Sequence, residues 1–360
     1  MGAGLYLHVP FCHRKCPYCN FYSVPAQPEL LTAYTAAVCR NLRHYGNAAQ
    51  PERVDTVYFG GGTPSLLLPA QIAQILETAA EQFALSADAE ITLEANPATV
   101  TPEQLRELRH AGINRLSLGV QSLSDAQLKR LGRLHTAQEA VEMVYAAVEA
   151  GFRNLSCDLM LALPEQTADE LEQTISRLVQ LPITHVSAYL LKVEQGTSFA
   201  VQHVAERCPD DDTAADLYLQ AVEQLGAAGF LQYEISNFAK AGFESRHNCK
   251  YWHCEPYLGI GPSAHSCWNG KRFFVPSAVS DFLEQPVQPV ETEDETPCTP
   301  EEKLLLGMRL TEGVPASWLA EKQAAAERYC NLGFLQKVGE RIAFTPKGFL
   351  VSNTILAELI

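Results

Sequence analysis

Tyr6-Leu7-His8-Val9-Pro10-Phe11-Cys12-His13-Arg14-Lys15-Cys16-Pro17-Tyr18-Cys19-Asn20-Phe21-Tyr22 is the stretch from which the rest of the chain can be read. A short apolar strand runs into a loop with three cysteines spaced C-x3-C-x2-C, and aromatic residues lie between and after them. Three thiols on one short loop can converge on one metal centre. The alternatives are a structural zinc, an iron–sulfur cluster and unrelated buried thiols. Structural zinc wants four closed ligands, usually as two separated pairs, and no second C-x2-C pair occurs in the chain. A four-iron cubane held by three thiolates leaves one iron open, the arrangement that chemistry on a bound cofactor needs.

Working outward, 360 residues exceed one typical domain and allow two or three, each with its own core. No apolar run reaches the roughly 18 residues that a membrane helix needs, and the chain starts almost directly on the cysteine strand. The expectation is a cytoplasmic protein with no stable membrane insertion. A formal net charge of −15 argues against nucleic acid as a partner, because phosphate backbones call for clustered Lys and Arg. Eleven cysteines, an odd number in no regular framework, suit a reducing compartment better than a disulfide scaffold.

From residue 54 a strand, a Gly-rich or capped turn and a helix alternate. Val54 to Phe59, Ile91 to Leu93, Leu116 to Leu118, Leu155 to Leu161 and Val186 to Leu191 read as strands. The capping-box pairs Thr101/Gln104, Ser124/Gln127, Thr136/Glu139 and Thr167/Glu170 open helices, and Gly112, Gly132 and Gly151 mark helix stops. With Leu5 to Val9 as the first strand, about six βα units result, fewer than the eight of a closed barrel. The fold class is therefore α/β, an open partial (β/α)6 barrel over residues 1–240. Ligands of such folds sit at the carboxyl ends of the strands. Gly60-Gly61-Gly62-Thr63-Pro64, Glu94 and Gln121 follow strands, and Asp158 lies within one. Singly each is weak: a Gly-rich turn without a Lys-Ser/Thr tail is no phosphate loop, and a strand-end Glu is more often a salt-bridge or capping group. Their joint placement after the cysteine loop singles them out.

Beyond residue 195 the pattern changes. Asp210-Asp211-Asp212 starts a helix with Leu217, Ala221 and Leu225 on one face, expected to flank the barrel and cover its site, and Tyr233 to Ser236 reads as a further strand. Residues 241–285 carry His247-Asn248-Cys249-Lys250-Tyr251-Trp252 and a Gly-rich turn from Tyr257 to Ser266. Cys249, His253, Cys254, His265 and Cys267 are metal-ligating types, but their irregular spacing disfavours a second metal site. Four prolines and four acidic residues make 286–300 a linker by composition. In 301–360, helices and a hairpin from Leu335 to Phe344 resemble a winged helix. Seven Lys/Arg balance seven Asp/Glu from 299 to 360, which speaks against nucleic-acid binding there.

Two motifs carry a resemblance. With Tyr18 directly before the third cysteine, the loop resembles the signature of radical S-adenosylmethionine (SAM) proteins. Tyr6-x-His8-x-Pro10-Phe11-Cys12 is similar to the form found in oxygen-independent coproporphyrinogen III dehydrogenases and their haem-chaperone relatives, and H-N-x-x-Y-W resembles the motif that sets the HemW type of chaperone apart. The resemblance implies a radical-SAM barrel with a [4Fe-4S] cluster on Cys12, Cys16 and Cys19. It implies SAM contacts at Tyr6, Gly61, Gly62, Thr63, Glu94, Gln121, Arg133 and Asp158, with Tyr18 bordering the adenine. Glycines would admit the ligand's methionine end, carboxylates would take ribose hydroxyls or the ammonium, and Arg133 would hold the carboxylate. His247, an imidazole among aromatic rings, would be an axial haem ligand, against the plainer reading of a hydrogen-bonded histidine capping a loop. Phe21 stands where the dehydrogenases carry a fourth cysteine, and only five residues precede Tyr6 where they have a long extension. Both departures favour a haem chaperone that serves haem-accepting proteins and leaves room for a homodimer. The alternative is a radical SAM oxidoreductase acting on coproporphyrinogen III or a related substrate.

Overall fold

The structure is a computed structural model that describes residues 2–47 and 49–360. Six strands run parallel and adjacent in chain order: β1 (Ala3–Val9), β2 (Arg53–Gly61), β3 (Ala84–Ala95), β4 (Arg115–Gln121), β5 (Asn154–Leu161) and β6 (His185–Leu190). Side chains alternate across a strand, and here the alternation sorts them by polarity. Leu5, Leu7, Val57, Phe59, Leu93, Leu116, Leu118, Leu155 and Val186 are fully buried on one face. On that face pack α1 (Pro28–Tyr45), α2 (Pro69–Gln82), α3 (Pro102–His110), α4 (Asp125–Arg130), α5 (Ala137–Glu149) and α6 (Ala168–Leu178). The barrel interior receives the other residues in levels set by register: Gly4, Thr56 and Glu90 at the foot; Tyr6, Tyr58, Thr92 and Arg115 above; then Glu94, Ser117, Ser156 and His185.

The helix signals act as their chemistry dictates in three of four cases. Thr101, Thr136 and Thr167 each accept the backbone N–H three residues on, and Gln104, Glu139 and Glu170 bond back. Ser124 makes no such cap; Ser122 Oγ accepts its N–H at 3.1 Å, and Gln127 reaches Glu170 instead. Gly112, Gly132 and Gly151 end helices at φ of 114°, 67° and 96°, a region glycine enters without strain.

Three expectations are revised beyond β6. Tyr233 to Ser236 is the turn between β7 (Leu231–Gln232) and β8 (Asn237–Ala239), not a strand; β8 runs antiparallel to β6. The helix begun by the acidic triplet, α7 (Asp211–Ala227), buries Leu217, Ala221 and Leu225 as read, but packs outside against α6, β5 and β6 and so does not cover the site. Residues 241–300 are not separate from the barrel. After α8 (Arg246–Trp252), β9 (Tyr257–Ile260) pairs parallel with β1 on its free edge. β10 (His265–Trp268), β11 (Lys271–Phe274) and β12 (Glu291–Asp294) continue the same sheet antiparallel. The segment read as a linker thus supplies the edge strand, and Gln288 is buried, taking a bond from Gly261 N–H and donating its own N–H to Asn41. Its prolines bracket the strand, and its acidic residues lie on an edge, where charge discourages further pairing.

The C-terminal part sets helices Pro300–Gly307, Gln323–Asn331, Pro346–Leu350 and Ser352–Leu359 around a three-stranded sheet, whose hairpin turns at Gly339 with φ of 60°. It docks on the 233–236 turn through the Glu234–Leu310 bridge and on Trp252 through the Arg309 guanidinium, 5.4 Å from the ring centre. Among the described residues no helix is long and apolar enough to cross a membrane.

Candidate cofactor site at the barrel mouth

The cysteine loop leaves the carboxyl end of β1 and is pinned on both sides. Val24 N–H bonds Pro10 O at 2.8 Å, Ala26 N–H bonds Cys12 O at 3.1 Å, and Cys19 N–H closes a turn onto Cys16 O. Cys12, Cys16 and Cys19 are free thiols, half-buried around one cavity. Burial, and then its thiol neighbours Cys16 and Cys12, raise the Cys19 pKa. Thr63 Oγ1 lies 3.4 Å from Cys12 Sγ, and Arg133 Nη1 lies 3.6 Å from Cys16 Sγ.

The same cavity is lined by Tyr18, Gly61, Gly62, Thr63, Glu94, Gln121, Arg133 and Asp158, all expected there from the sequence. Their partners define their chemistry. Glu94 accepts Tyr58 O–H at 2.8 Å and Gly61 N–H at 3.2 Å, and burial holds its carboxyl up at about 7. Asp158 accepts Ser117 O–H at 3.1 Å, and burial raises it to about 6. Arg133 is clamped by Gly119 O at 2.6 Å and the Tyr18 hydroxyl at 3.4 Å, while its Nε is buried with no partner among the described residues. Two carboxyls and a guanidinium, incompletely paired and facing one cavity, suit a zwitterionic ligand bearing an extra positive charge.

Three expected residues play other parts. A Cβ on Gly62 would meet Phe11 O at 2.6 Å and one on Gly61 would meet the His8 ring at 2.8 Å, so Gly62 lets the cysteine loop, and Gly61 the His8 side chain of β1, sit close against β2 and the turn that follows it. Tyr6 does not line the cavity: its O–H is 2.9 Å from His8 Nδ1, and register sets it level with Tyr58 and Thr92, one level below the mouth. Phe199, from a short helix after β6, packs its ring 6.1 Å from Tyr18 and donates its N–H to Pro17 O, a contact no local motif announced. Asn96, Ser117 and Gly119 also line the mouth; alternation in Leu116-Ser117-Leu118-Gly119 could have found the last two.

His247 lies at the opposite end. It is 1% exposed at the start of α8, with Nδ1 2.8 Å from Thr56 Oγ1 and Nε2 2.8 Å from the Tyr251 hydroxyl. Its ring stacks on Tyr58 at 5.1 Å, and a Cβ on Gly4 would meet Cε1 at 3.0 Å. Glu90 accepts the N–H groups of Arg246 and His247, and Lys250 bridges Asp55 and Glu255 at 2.7 and 2.8 Å. Burial lowers the imidazole to about 3, so it is neutral at physiological pH. An axial ligand needs a free nitrogen with room for a porphyrin; His247 has neither in this fold, and the motif plugs the barrel foot instead.

Comparison with known proteins agrees with this geometry. The Radical SAM superfamily matches residues 6–178. Two proteins named heme chaperone HemW are similar over 99% of this chain: one from Mycobacterium tuberculosis (strain ATCC 25618 / H37Rv), 35% identical over 94% of its own length, and one from Bacillus subtilis (strain 168), 36% identical over 98%. The chain belongs to the HemW family of radical SAM proteins. Among solved structures, coproporphyrinogen III oxidase (HemN) from Escherichia coli, a radical SAM enzyme, superposes with a TM-score of 0.84 over 99% of this chain and 90% of that one. At 22% identity that likeness establishes the shared fold, and the HemW relatives establish the branch.

Proposed function

We propose that this protein is a haem chaperone of the cytoplasm that carries a [4Fe-4S] cluster and SAM, holds haem and passes it to acceptor proteins. The observation that carries the reading is the full-length similarity to heme chaperones HemW, together with the three free thiols at the barrel mouth. Cys12, Cys16 and Cys19 would hold the cluster and leave one iron for SAM. Cluster and SAM together supply one-electron chemistry at a sulfonium centre. The chain's own residues bind and orient: Arg133 meets a carboxylate, Glu94 and Asp158 take an ammonium or ribose hydroxyls, and Tyr18 with Phe199 walls off one side. Because Glu94 titrates near 7, a cationic ligand would displace its proton on binding.

Phe21, 67% exposed beside the thiols, offers no fourth sulfur where the dehydrogenases resembled above carry one, which favours the chaperone over an oxidoreductase. The test is a haemin titration of the anaerobically reconstituted full-length protein, run beside an assay for coproporphyrinogen turnover. A saturable Soret band with transfer to an apo-acceptor is expected. Absence of haem binding, or multiple-turnover formation of protoporphyrinogen, would overturn the proposal.

A further inference from the structure

We propose that Cys254, Cys267 and Cys298, with the carboxylate of Glu302, form a second metal site that takes zinc and fastens the C-terminal domain to the barrel sheet. The Sγ atoms of Cys254 and Cys298 and a carboxylate oxygen of Glu302 all lie within 4.8 Å of one another. Cys267 Sγ is 3.7 Å from Cys298 Sγ. Thiolates at zinc–sulfur distances of ~2.3 Å in a tetrahedron stand roughly 3.8 Å apart, so this pair is already at ligand spacing. Cys298 N–H bonds the Glu302 carboxylate, tying two of the four donors into one turn.

The donors come from separate elements: Cys254 from the turn after α8, Cys267 from strand β10, Cys298 from the turn before the helix Pro300–Gly307 and Glu302 from its first turn. This is also a different place from the cofactor mouth. Cys267 pairs with Tyr257, which pairs with Gly4, so the cluster stands level with the amino end of β1, whereas the cysteine loop begins beyond its carboxyl end. Irregular spacing hid the set in the sequence. His253 pairs with Glu312 and His265 lies beside Glu293, outside it, while Cys298 and Glu302 come from the segment read as a linker and from the helix after it.

Charge fits as well. Binding zinc would release three thiol protons and leave three thiolates and a carboxylate around a dication, a doubly negative centre. The Arg272 guanidinium, ion-paired with Glu302, is placed to offset that charge from outside the ligand shell. Cys254 and Cys298 both hold left-handed backbone, at φ of 54° and 65°, which cysteine seldom adopts unless its surroundings require it.

The experiment uses full-length protein with its iron–sulfur centre reconstituted, so that Cys12, Cys16 and Cys19 are occupied. After dialysis against zinc and removal of loose metal, elemental analysis should find about one zinc per chain beyond the iron. Cys254→Ser and Cys298→Ser should each lose that zinc with iron unchanged. As a check that needs no variant, cadmium added to the unaltered protein should give thiolate-to-metal absorption that saturates at about one equivalent. Failure of the unaltered protein to hold zinc or cadmium, equal zinc in the serine variants, or a Cys267–Cys298 disulfide in protein purified under reducing, anaerobic conditions would overturn the proposal.

Discussion

The two ends of the barrel are built from the same alternation and differ in whether their polar groups face a cavity or one another. At the mouth, Arg133 keeps an Nε with no partner among the described residues, burial raises Glu94 to about 7 and Asp158 to about 6, and three thiols stand free around a cavity. At the foot, both nitrogens of His247 are engaged, Glu90 takes two backbone N–H groups, and Lys250 has two carboxylates. Polar groups that face a cavity are open to a ligand, whereas those of His247, Glu90 and Lys250 are spent on their neighbours and hold structure; Arg115 Nε and Nη1, one level up, and Trp252 Nε1 have no partner among the described residues but face no such cavity. Motif residues alone do not distinguish the two, because His247 and Cys12 each sit in a recognisable string.

The largest expected effect breaks the mouth. Replacing Cys12, Cys16 and Cys19 together with Ala should abolish iron and sulfide uptake on anaerobic reconstitution, while the melting temperature changes little because none of the three thiols is buried core. Gly62→Val comes next. Since its side chain would press on Phe11 O, cluster content itself should fall several-fold, which separates a glycine that seats the loop from one that only admits SAM. At the foot, His247→Ala should lower stability in chemical denaturation by about 1–3 kcal/mol for each buried partner left unpaired. Its haem titration should match the parent's in the protein that stays folded.

The smallest effect is a pH dependence. Glu94 titrates near 7 in the folded protein against 4.5 when free, so between those values the folded state keeps a proton the unfolded state has lost. Its contribution to stability therefore declines as pH rises through that window. SAM affinity should move the other way, rising as the carboxylate ionises, and Glu94→Gln should flatten both slopes in calorimetry and thermal melts.

How much was legible follows from how local each signal is. The cysteine loop, the six parallel strands and three capping boxes are written in adjacent residues, and they stand as read. Strand-end positions reached Glu94 and Gln121 for the same reason, and Asp158 was legible within its strand. What failed depends on register across the sheet. The resemblance implies Tyr6 at the mouth, whereas register sets it level with Tyr58 and Thr92, with its O–H at His8. The segment 286–300 has a linker's composition, but its short acidic strand finds β11 as a partner. The meeting of His247 with Thr56 joins residues 191 apart, a distance at which no spacing rule operates.

The most direct test of the mouth as the cofactor site is electron paramagnetic resonance of the reduced, reconstituted protein with and without SAM. If the open iron faces the cavity floored by Glu94 and Asp158, SAM should shift the cluster signal in the parent and in His247→Ala. The shift should be weakened in Glu94→Gln. A cluster signal that SAM leaves unchanged in the parent, with iron fully loaded, would contradict the assignment.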